Sequence, residues 1–277
     1  MANVFKSFGG FNTTDLKEQK GIALMFDLAG YAEFYNRTGA PAYAPIYLNK
    51  VIEAVETCLR GGNPYWIEDP KPIPLLQSLT VLPIHSKFLG DAMLYVWALG
   101  ETPDNEIAKM MIALMNRLWN LKKYFGNINV SCVGANVELP NGIRFGLATG
   151  SIFELPVGVD SGYEYTGVCI NLASRLQSYC RELGFIAYNG FADHNLDLIN
   201  NNYHRVKIAA GKIKGFDELT VFVDTGDFRR LEERRLKQTI LPEFEEISPV
   251  PQKDGMLIIT TPDGTTQHRE VYTSEIR

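Results

Sequence analysis

Two aspartates interrupt apolar segments of this sequence at places where metal chemistry is possible. Asp27 ends the apolar run "LMFDLAGY", and Asp91 follows Leu89-Gly90 in "KFLGDAML". Two carboxylates from neighbouring elements, together with a backbone carbonyl, are hard oxygen ligands that suit Mg²⁺ or Mn²⁺. Gly30, three residues after Asp27, lets backbone amides approach a phosphate closely. These residues predict a site for a divalent cation and a phosphate.

An Asn–Arg pair is the second candidate for chemistry. Asn171 and Arg175 lie four residues apart in "GVCINLASRLQ", so both lie on one face of a helix. The other residues of this helix are apolar around most of its circumference, which predicts a helix that is buried nearly all round. Because Arg is seldom buried without a partner, a structural hydrogen bond remains one explanation. A turn or a helix cap remains one for each aspartate taken singly.

Four sequence blocks occur in the order found in class III nucleotidyl cyclases, the family of adenylate and guanylate cyclases. They are "LMFDLAGYAEF", "HSKFLGDAMLYVW", "NGIRFGLATG" and "GYEYTGVCINLASRLQ", and "GKIKGFDELTVFV" closes the similarity. The chain therefore resembles the catalytic domain of that family from residue 21 to about residue 225. The resemblance implies an α+β fold of the ferredoxin-like type, with a mainly antiparallel sheet flanked by helices.

The resemblance implies catalytic and metal-binding roles for five residues. Asp27, Asp91 and the backbone carbonyl of Leu28 would bind two divalent cations per site, either Mn²⁺ or Mg²⁺. Asn171 would orient the ribose of a nucleoside triphosphate. Arg175 would stabilise the charge that builds up on the α-phosphate in the transition state, where planar guanidinium donors are effective.

Further residues of the same blocks would bind the base and the triphosphate. Lys87 and Glu164 fall at the two positions that choose the base in the family. The expected triphosphate-binding residues are Gly30, Tyr31, Arg144 and, as a looser match, Lys214. The implied reaction is an in-line attack of the ribose 3′-oxygen on the α-phosphorus, with pyrophosphate leaving.

The resemblance also implies a head-to-tail homodimer with two shared active sites. One subunit would supply the metal-binding aspartates, and the other would supply the base-contacting pair, the asparagine and the arginine. This single chain carries all of these positions, so two equivalent sites and an inactive monomer are expected.

The identity of the base depends on Lys87 and Glu164. Adenylate cyclases of the family pair Lys with Asp or Thr, and guanylate cyclases pair Glu with Cys. Hydrogen bonding alone allows adenine, uracil or cytosine here. Glu164 reaches about 1.5 Å further than Asp would, and Tyr163 and Tyr165 flank it, so a single-ring base is favoured. We expect UTP first and CTP second, with ATP as the conservative alternative.

The arrangement of the chain is similar to that of bacterial pyrimidine cyclases of Pycsar-type anti-phage defence. No receptor, HAMP or phosphorelay segment is evident beside the cyclase blocks. The resemblance implies that the chain makes cyclic UMP or cyclic CMP as a second messenger for a separate effector protein. A catalytically silent nucleotide-binding regulatory module is the alternative from another class, although the intact Asp27, Asp91, Asn171 and Arg175 argue against it. A small-molecule-binding α/β domain with incidental acidic residues would not explain the ordered blocks.

The elements that must position these residues alternate between strands and helices. Strands are predicted at 21–31, 128–139, 142–153 and 184–190, with a hairpin over 79–99 and a strand pair over 203–224. Helices are predicted at 43–62, 105–125, 168–177 and 191–201. A Pro-rich loop occupies 63–75. The predicted organisation is an N-terminal segment at 1–20, a catalytic domain at 21–225, and a charged helix with a β-hairpin at 226–277.

Composition excludes several other functions. The net charge of −5 over 277 residues argues against a nucleic-acid-binding surface. Acidic neighbours make the arginines at 229, 230, 234 and 235 typical of a solvated helix. No apolar run is long enough to span a membrane, and no signal peptide is recognisable. Four cysteines without zinc-type spacing favour a reducing cytoplasm. The four histidines form no ligand-spaced pair and are given no role.

Overall fold

The computed structural model describes residues 17–62, 82–128, 138–140, 142–156, 163–179, 184–190, 203–230, 256–260 and 266–270. The chain divides into two compact units, Met1–Asn200 and Asn201–Arg277. The predicted boundary of the catalytic domain at residue 225 stays a prediction. The loop at 63–75, the strand at 128–139 and the helix at 191–201 lie wholly or mostly outside the described residues. None of the described helices is both long enough and apolar enough to span a membrane.

The first unit is a sheet with helices in the order of a ferredoxin-like fold. Its strands are β1 (Gln19–Ala29), β2 (His85–Phe88), β3 (Ala92–Gly100), β4 (Gly142–Pro156), β5 (Tyr163–Gly167) and β6 (Phe185–Tyr188). Its helices are α1 (Tyr31–Tyr35), α2 (Ala40–Leu59), α3 (Asp104–Tyr124) and α4 (Val168–Tyr179). The strands lie in the order β2-β3-β1-β4-β6, and β5 pairs with β4. All of these pairs are antiparallel except β4 with β6. This confirms the predicted α+β fold class.

Strand β1 is the centre of this sheet and of the core. It pairs with β3 on one side and with β4 on the other along most of its length. Residues 21–26 are all buried, as expected for a continuous apolar run covered on both faces. Asp27 is the first polar residue after this run. The strand therefore places the Asp27 carboxylate where the buried core ends.

Helices α2 and α3 pack against each other, and α3 also contacts β4. Acidic residues lie in the first turn of α3 and lysines in its last, which complements the helix dipole. Arg117 of α3 is buried, and its Nη1 donates a hydrogen bond to the Leu59 carbonyl at the end of α2, at 2.8 Å. That bond satisfies one of the carbonyls that a helix end leaves without a partner.

Helix α4 buries one face rather than its whole circumference, so the prediction of burial nearly all round was wrong. Its buried residues are Cys169, Leu172, Ala173, Leu176 and Gln177. Asn171 is exposed and Arg175 is half-buried. The helix packs on β4 and β1, and only the face toward the sheet is covered. Val168 is apolar but 48% exposed, because it lies on the same open side as Asn171.

A glycine of β4 sets the depth at which α4 packs. A Cβ at position 146 would lie 2.0 Å from the Ala173 carbonyl oxygen and 2.5 Å from the Gln177 amide nitrogen. Any other residue at Gly146 would therefore push the helix away from the sheet. The position and rotation of α4 depend on this contact.

The second unit contains two strand pairs. β7 (Tyr203–Ile208) pairs antiparallel with β8 (Leu219–Asp224), as the predicted strand pair requires. β9 (Met256–Thr260) pairs antiparallel with β10 (Thr266–Glu270), which agrees with the predicted C-terminal hairpin. Residues 225–230 are helical, and the rest of the predicted charged helix lies outside the described residues.

We expect Gly146→Ala to lower the free energy of unfolding by about 1–3 kcal/mol, the usual cost of overpacking. Gly126→Ala is the matched control, because nothing lies within 4 Å of a Cβ at that position. Denaturant unfolding of both variants measures the difference. Equal stability of the two would contradict the close approach of α4 to β4.

Candidate active site

Asp27 lies between a second carboxylate and an arginine. In the register of the sheet it pairs with Ala92, which directly follows Asp91, and with Arg144 on β4. Arg144 Nη2 lies 2.5 Å from Asp27 Oδ2, and the two side chains are only 24% and 19% exposed. The structure thus brings together both predicted metal ligands and one predicted triphosphate ligand.

The pKa of Asp27 is raised by its surroundings. Burial is the largest cause, and the charge of Asp91 adds to it. The Arg144 guanidinium opposes both, through its charge and its hydrogen bond, without cancelling them. Two carboxylates and one guanidinium leave an excess of one negative charge here, which a bound cation would offset.

Gln177 is a member of this cluster that the sequence analysis missed. Its side chain is 7% exposed and lies within hydrogen-bonding reach of the Asp27 carboxylate. Its Oε1 accepts a hydrogen bond from Ser178 Oγ at 3.3 Å, which leaves the amide nitrogen for Asp27. The spacing along the chain could have indicated it, because the buried face of α4 repeats every four residues through Cys169, Ala173 and Gln177. A polar residue at the end of a buried stripe needs a partner.

The donor atoms at this edge fit a hard divalent cation. Asp27 and Asp91 supply carboxylate oxygens, and Leu28 lies one residue beyond the last β1–β3 pair. Across the described ranges, no group of three or more His, Cys, Asp or Glu side chains could hold a metal. Further ligands would therefore have to be backbone, water or substrate oxygens, which is how Mg²⁺ is usually bound beside a phosphate.

The backbone turns sharply after β1 and opens toward a groove. Gly30 has φ +82°, which is left-handed, and it precedes α1 directly. Tyr31 and Asp91 both line an open groove of about 790 Å³, whose other walls are mainly apolar residues of α1 and α2. Burial is the main cause of the raised pKa of Tyr31, and the charges of Tyr35 and then Asp91 add to it. Gly30 and Tyr31 are thus close to the predicted metal ligands.

Asn171 and Arg175 lie on the opposite side of α4 from Asp27. Each is two residues from Ala173, and two residues turn a helix by about 200°. Ala173 and Gln177 face β4, as their approach to Gly146 shows. The predicted transition-state residues therefore point away from the metal-binding edge of their own protomer.

Lys87 and Glu164 form an ion pair at a different part of the sheet. Lys87 Nζ lies 2.6 Å from Glu164 Oε1, and both side chains are partly exposed. The hydrogen bond from Lys87 is the main reason why the pKa of Glu164 is lowered. Glu164 is therefore ionised at neutral pH and acts as a hydrogen-bond acceptor.

This ion pair requires a strongly curled sheet. β2 and β5 are separated by β3, β1 and β4, which is four strand spacings of about 4.8 Å, or about 19 Å, in a flat sheet. Lys and Glu side chains together cannot span that distance. The β4–β5 end of the sheet must therefore bend toward β2.

Lys214 belongs to the second unit, in the turn between β7 and β8, and is exposed. Its role as a triphosphate ligand stays a prediction. Tyr163, predicted to add bulk beside Glu164, is 59% exposed. Tyr165 contacts the His85 ring at 5.3 Å between centroids.

The fold matches those of solved cyclase domains. The adenylyl cyclase CyaB from P. aeruginosa matches with a TM-score of 0.53 and 19% identity, over 76% of this chain and 95% of that chain. The guanylate cyclase domain of RhGC from Catenaria anguillulae, in complex with GTP, matches with a TM-score of 0.50 and 18% identity, over 76% and 98%. No protein-family model and no curated protein matches the sequence. The chain thus has the fold of adenylyl and guanylyl cyclase catalytic domains.

We expect Asp27→Asn to increase the free energy of unfolding at pH 7. A raised carboxyl pKa means that ionised Asp27 is less favourable in the folded chain than in the unfolded chain. The advantage of Asn should shrink as the pH falls toward the unfolded value of about 3.9, because an increasing fraction of wild-type Asp27 is then protonated in the unfolded chain as well.

Denaturant titrations of wild type and Asp27→Asn at pH 7 and pH 4 measure this effect. Asp217→Asn, which changes an exposed carboxylate of the β7–β8 turn, is the matched control for the loss of one charge. A wild type more stable than Asp27→Asn at pH 7 would contradict the raised pKa.

Proposed function

We propose that this chain is a metal-dependent nucleotidyl cyclase that converts a pyrimidine nucleoside triphosphate to the 3′,5′-cyclic nucleotide and pyrophosphate. UTP is the favoured substrate and CTP the next. The observation that carries the cyclase proposal is the distribution of polar residues on the cyclase fold. Asp27 and Asp91 meet at one edge of the sheet, while Asn171 and Arg175 face away from it on α4.

The opposite orientation of these two pairs supports an active site shared between two copies of the chain. A substrate held by Asp27 and Asp91 of one protomer is out of reach of that protomer's own Asn171 and Arg175. These two residues lie on the far face of α4. A second copy, placed head to tail, supplies the missing face. We propose a homodimer with two equivalent sites, and an isolated protomer would be inactive.

Each residue has a defined task in the proposed reaction. The O3′–Pα bond forms while the bond from Pα to the bridging oxygen breaks, and the 3′-hydroxyl proton passes to solvent. Asn171 orients the ribose, so that the 3′-oxygen lies in line with the leaving pyrophosphate. Arg175 donates hydrogen bonds to the α-phosphate oxygens as their charge increases.

The carboxylates would hold the cations at the triphosphate. Asp27 and Asp91, with the Leu28 carbonyl, would bind two Mg²⁺ or Mn²⁺ ions. Bound divalent cations lower the pKa of the attacking hydroxyl and neutralise the leaving group. Arg144 exchanges its ion pair with Asp27 for the β- and γ-phosphates, which are stronger bidentate partners for a guanidinium. Gly30 and Tyr31 would present backbone amides there.

The choice of a pyrimidine is supported by the length and fixed ionisation of Glu164. Lys87 donates and Glu164 accepts, which matches the O4 and N3–H of uracil or the N3 and amino group of cytosine. The 2.6 Å bond between the two side chains shows that both already reach the same point. A longer carboxylate leaves room for one ring rather than two. The pair also fits the N1 and amino group of adenine, so an adenylate cyclase is the second candidate.

The proposed biological role is synthesis of cyclic UMP or cyclic CMP in anti-phage defence, where the product activates a separate effector. The ground for this role is the resemblance of the sequence to Pycsar-type pyrimidine cyclases. No direct contact with the effector, with nucleic acid or with a membrane is proposed. The cytoplasm is the proposed location, since the nucleoside triphosphate substrates are found there.

Incubation of the purified chain with each of the four NTPs and Mn²⁺ or Mg²⁺ tests the proposal, with the cyclic product identified by mass spectrometry. We expect cyclic UMP above cyclic CMP, and loss of at least about 10²-fold in rate for Arg175→Ala. Asp91→Ala is the matched control for metal dependence, and it should also remove protection in phage-challenged cells. Product from ATP alone would exclude the pyrimidine proposal, and no product from any NTP would exclude the cyclase proposal.

Mixing two inactive variants tests the shared site. Asp27→Ala and Arg175→Ala should each have almost no activity, because each lacks one half of both sites. A mixed dimer contains one site with both residues intact, so an equal mixture should recover about a quarter of wild-type activity if subunits exchange at random. Failure of two folded, dimerising variants to recover activity would contradict shared sites.

A further inference from the structure

His85 lies beside the proposed base-contacting pair, although the sequence gives no ligand pattern for it. It is on β2, two residues before Lys87, so both side chains lie on the same face of the strand. The His85 side chain is only 17% exposed, whereas that of Lys87 is 46% exposed. His85 therefore lies beneath Lys87, toward the interior of the site.

The buried nitrogen of His85 faces the second oxygen of Glu164. His85 Nε2 lies 3.6 Å from Glu164 Oε2, while Lys87 Nζ lies 2.6 Å from Oε1. Among the described residues, Nε2 has no hydrogen-bond partner, and it has no access to solvent. A buried ring nitrogen that faces a carboxylate must carry a hydrogen, because a lone pair in that position would be repelled.

The ring of His85 is held in place by an aromatic neighbour. Its centroid lies 5.3 Å from that of Tyr165, the residue after Glu164. The Tyr165 hydroxyl lies 3.4 Å from Glu154 Oε2 on β4, which fixes the tyrosine in turn. The orientation of His85 toward Glu164 is therefore supported from two strands.

A base that enters the site must take Lys87 away from Glu164. Lys87 then donates to the base, and Glu164 Oε1 becomes free to accept a hydrogen bond from it. At that moment Glu164 loses its shortest contact and would gain rotamer freedom, which opposes binding. The contact between His85 Nε2 and Oε2 is on the other carboxylate oxygen, so it persists during this exchange.

We propose that His85 is a specificity-determining positioning residue, which holds the Glu164 carboxylate as a fixed acceptor while Lys87 moves to the base. The inference rests on the proposed function, in that Lys87 and Glu164 contact the base. A fixed acceptor favours bases with a donor at that point, such as uracil N3–H or the cytosine amino group. It disfavours a base that presents an oxygen there.

Two substitutions separate the role of the nitrogen from that of the ring. His85→Phe keeps an aromatic ring against Tyr165 but removes the Nε2–H donor. His85→Gln places an amide N–H near the position of Nε2 and restores the donor. Ser86→Ala is the matched control, because Ser86 is exposed on the opposite face of the same strand.

Binding of non-cyclisable α,β-methylene analogues of UTP, CTP, ATP and GTP to the full chain with Mn²⁺ gives the first readout, and steady-state kinetics gives the second. For His85→Phe we expect the Kd and KM of the preferred nucleotide to rise about five- to tenfold, because Glu164 Oε2 loses the N–H group that faces it. The kcat at saturation should change less than about twofold, and discrimination among the four bases should weaken. His85→Gln should recover wild-type Kd and discrimination, and Ser86→Ala should equal wild type.

The outcomes distinguish this inference from the proposed function. If wild type prefers ATP, the pyrimidine proposal fails, while the comparison of His85→Phe with His85→Gln still decides the role of His85. If wild type binds nucleotides without cyclising them, the cyclase proposal fails. The binding constants of the His85 variants then decide the role of His85 alone. Unchanged Kd and discrimination in His85→Phe would overturn the inference. Equal loss in both His85 variants would overturn it as well, because a purely structural ring would then explain the data. If wild type binds no nucleotide, both proposals fail.

Discussion

The close contact between α4 and β4 is the constraint on which the rest of the site depends. Without a side chain at Gly146, the backbone of α4 at Ala173 rests directly on the strand. A helix at this distance cannot rotate without lifting from the sheet. Gln177 is thereby held at Asp27, and Asn171 and Arg175 are held on the outer face. The absence of a side chain at Gly146 thus determines where three polar side chains of α4 lie.

The curl of the sheet is the second constraint on the site, because it determines where the base-contacting residues lie. Lys87, His85 and Glu164 come from two strands that do not pair with each other. Their convergence depends on the whole β3-β1-β4 ribbon between them, whose apolar residues form the core. Substrate recognition and core packing are therefore linked, since a flatter sheet would separate Lys87 from Glu164.

The sequence was sufficient for the elements that have strong periodicity or continuous apolar runs. β1 and α3 are each within two residues of their predicted limits, because burial on both faces and a 3.6-residue repeat leave clear patterns. The one-sided burial of α4 was missed, since Val168 and Ile170 made the helix look apolar all round. Val168 is exposed and Ile170 is only partly covered. The periodicity of apolar residues does not predict which of them are buried within a single protomer.

Contacts between distant residues could be predicted only in part. The resemblance to cyclases brought Asp27 together with Asp91, and Lys87 together with Glu164. It did not include Gln177 or His85, whose partners are set by helix rotation and sheet curl rather than by spacing along the chain. Arg144 was expected at a triphosphate, and its contact with Asp27 across the β1–β4 pair was not predicted.

The two faces of α4 also have a genetic consequence under the proposed dimer. Each chain contributes its aspartates to one site and its Asn–Arg face to the other. A chain that lacks both Asp27 and Arg175 would therefore inactivate both sites of any dimer it joins, including a dimer with an intact partner. A chain lacking only one of them would spare one site. If equal amounts of intact and defective chain pair at random, a single defect would leave about half of the sites intact, whereas a double defect would leave about a quarter.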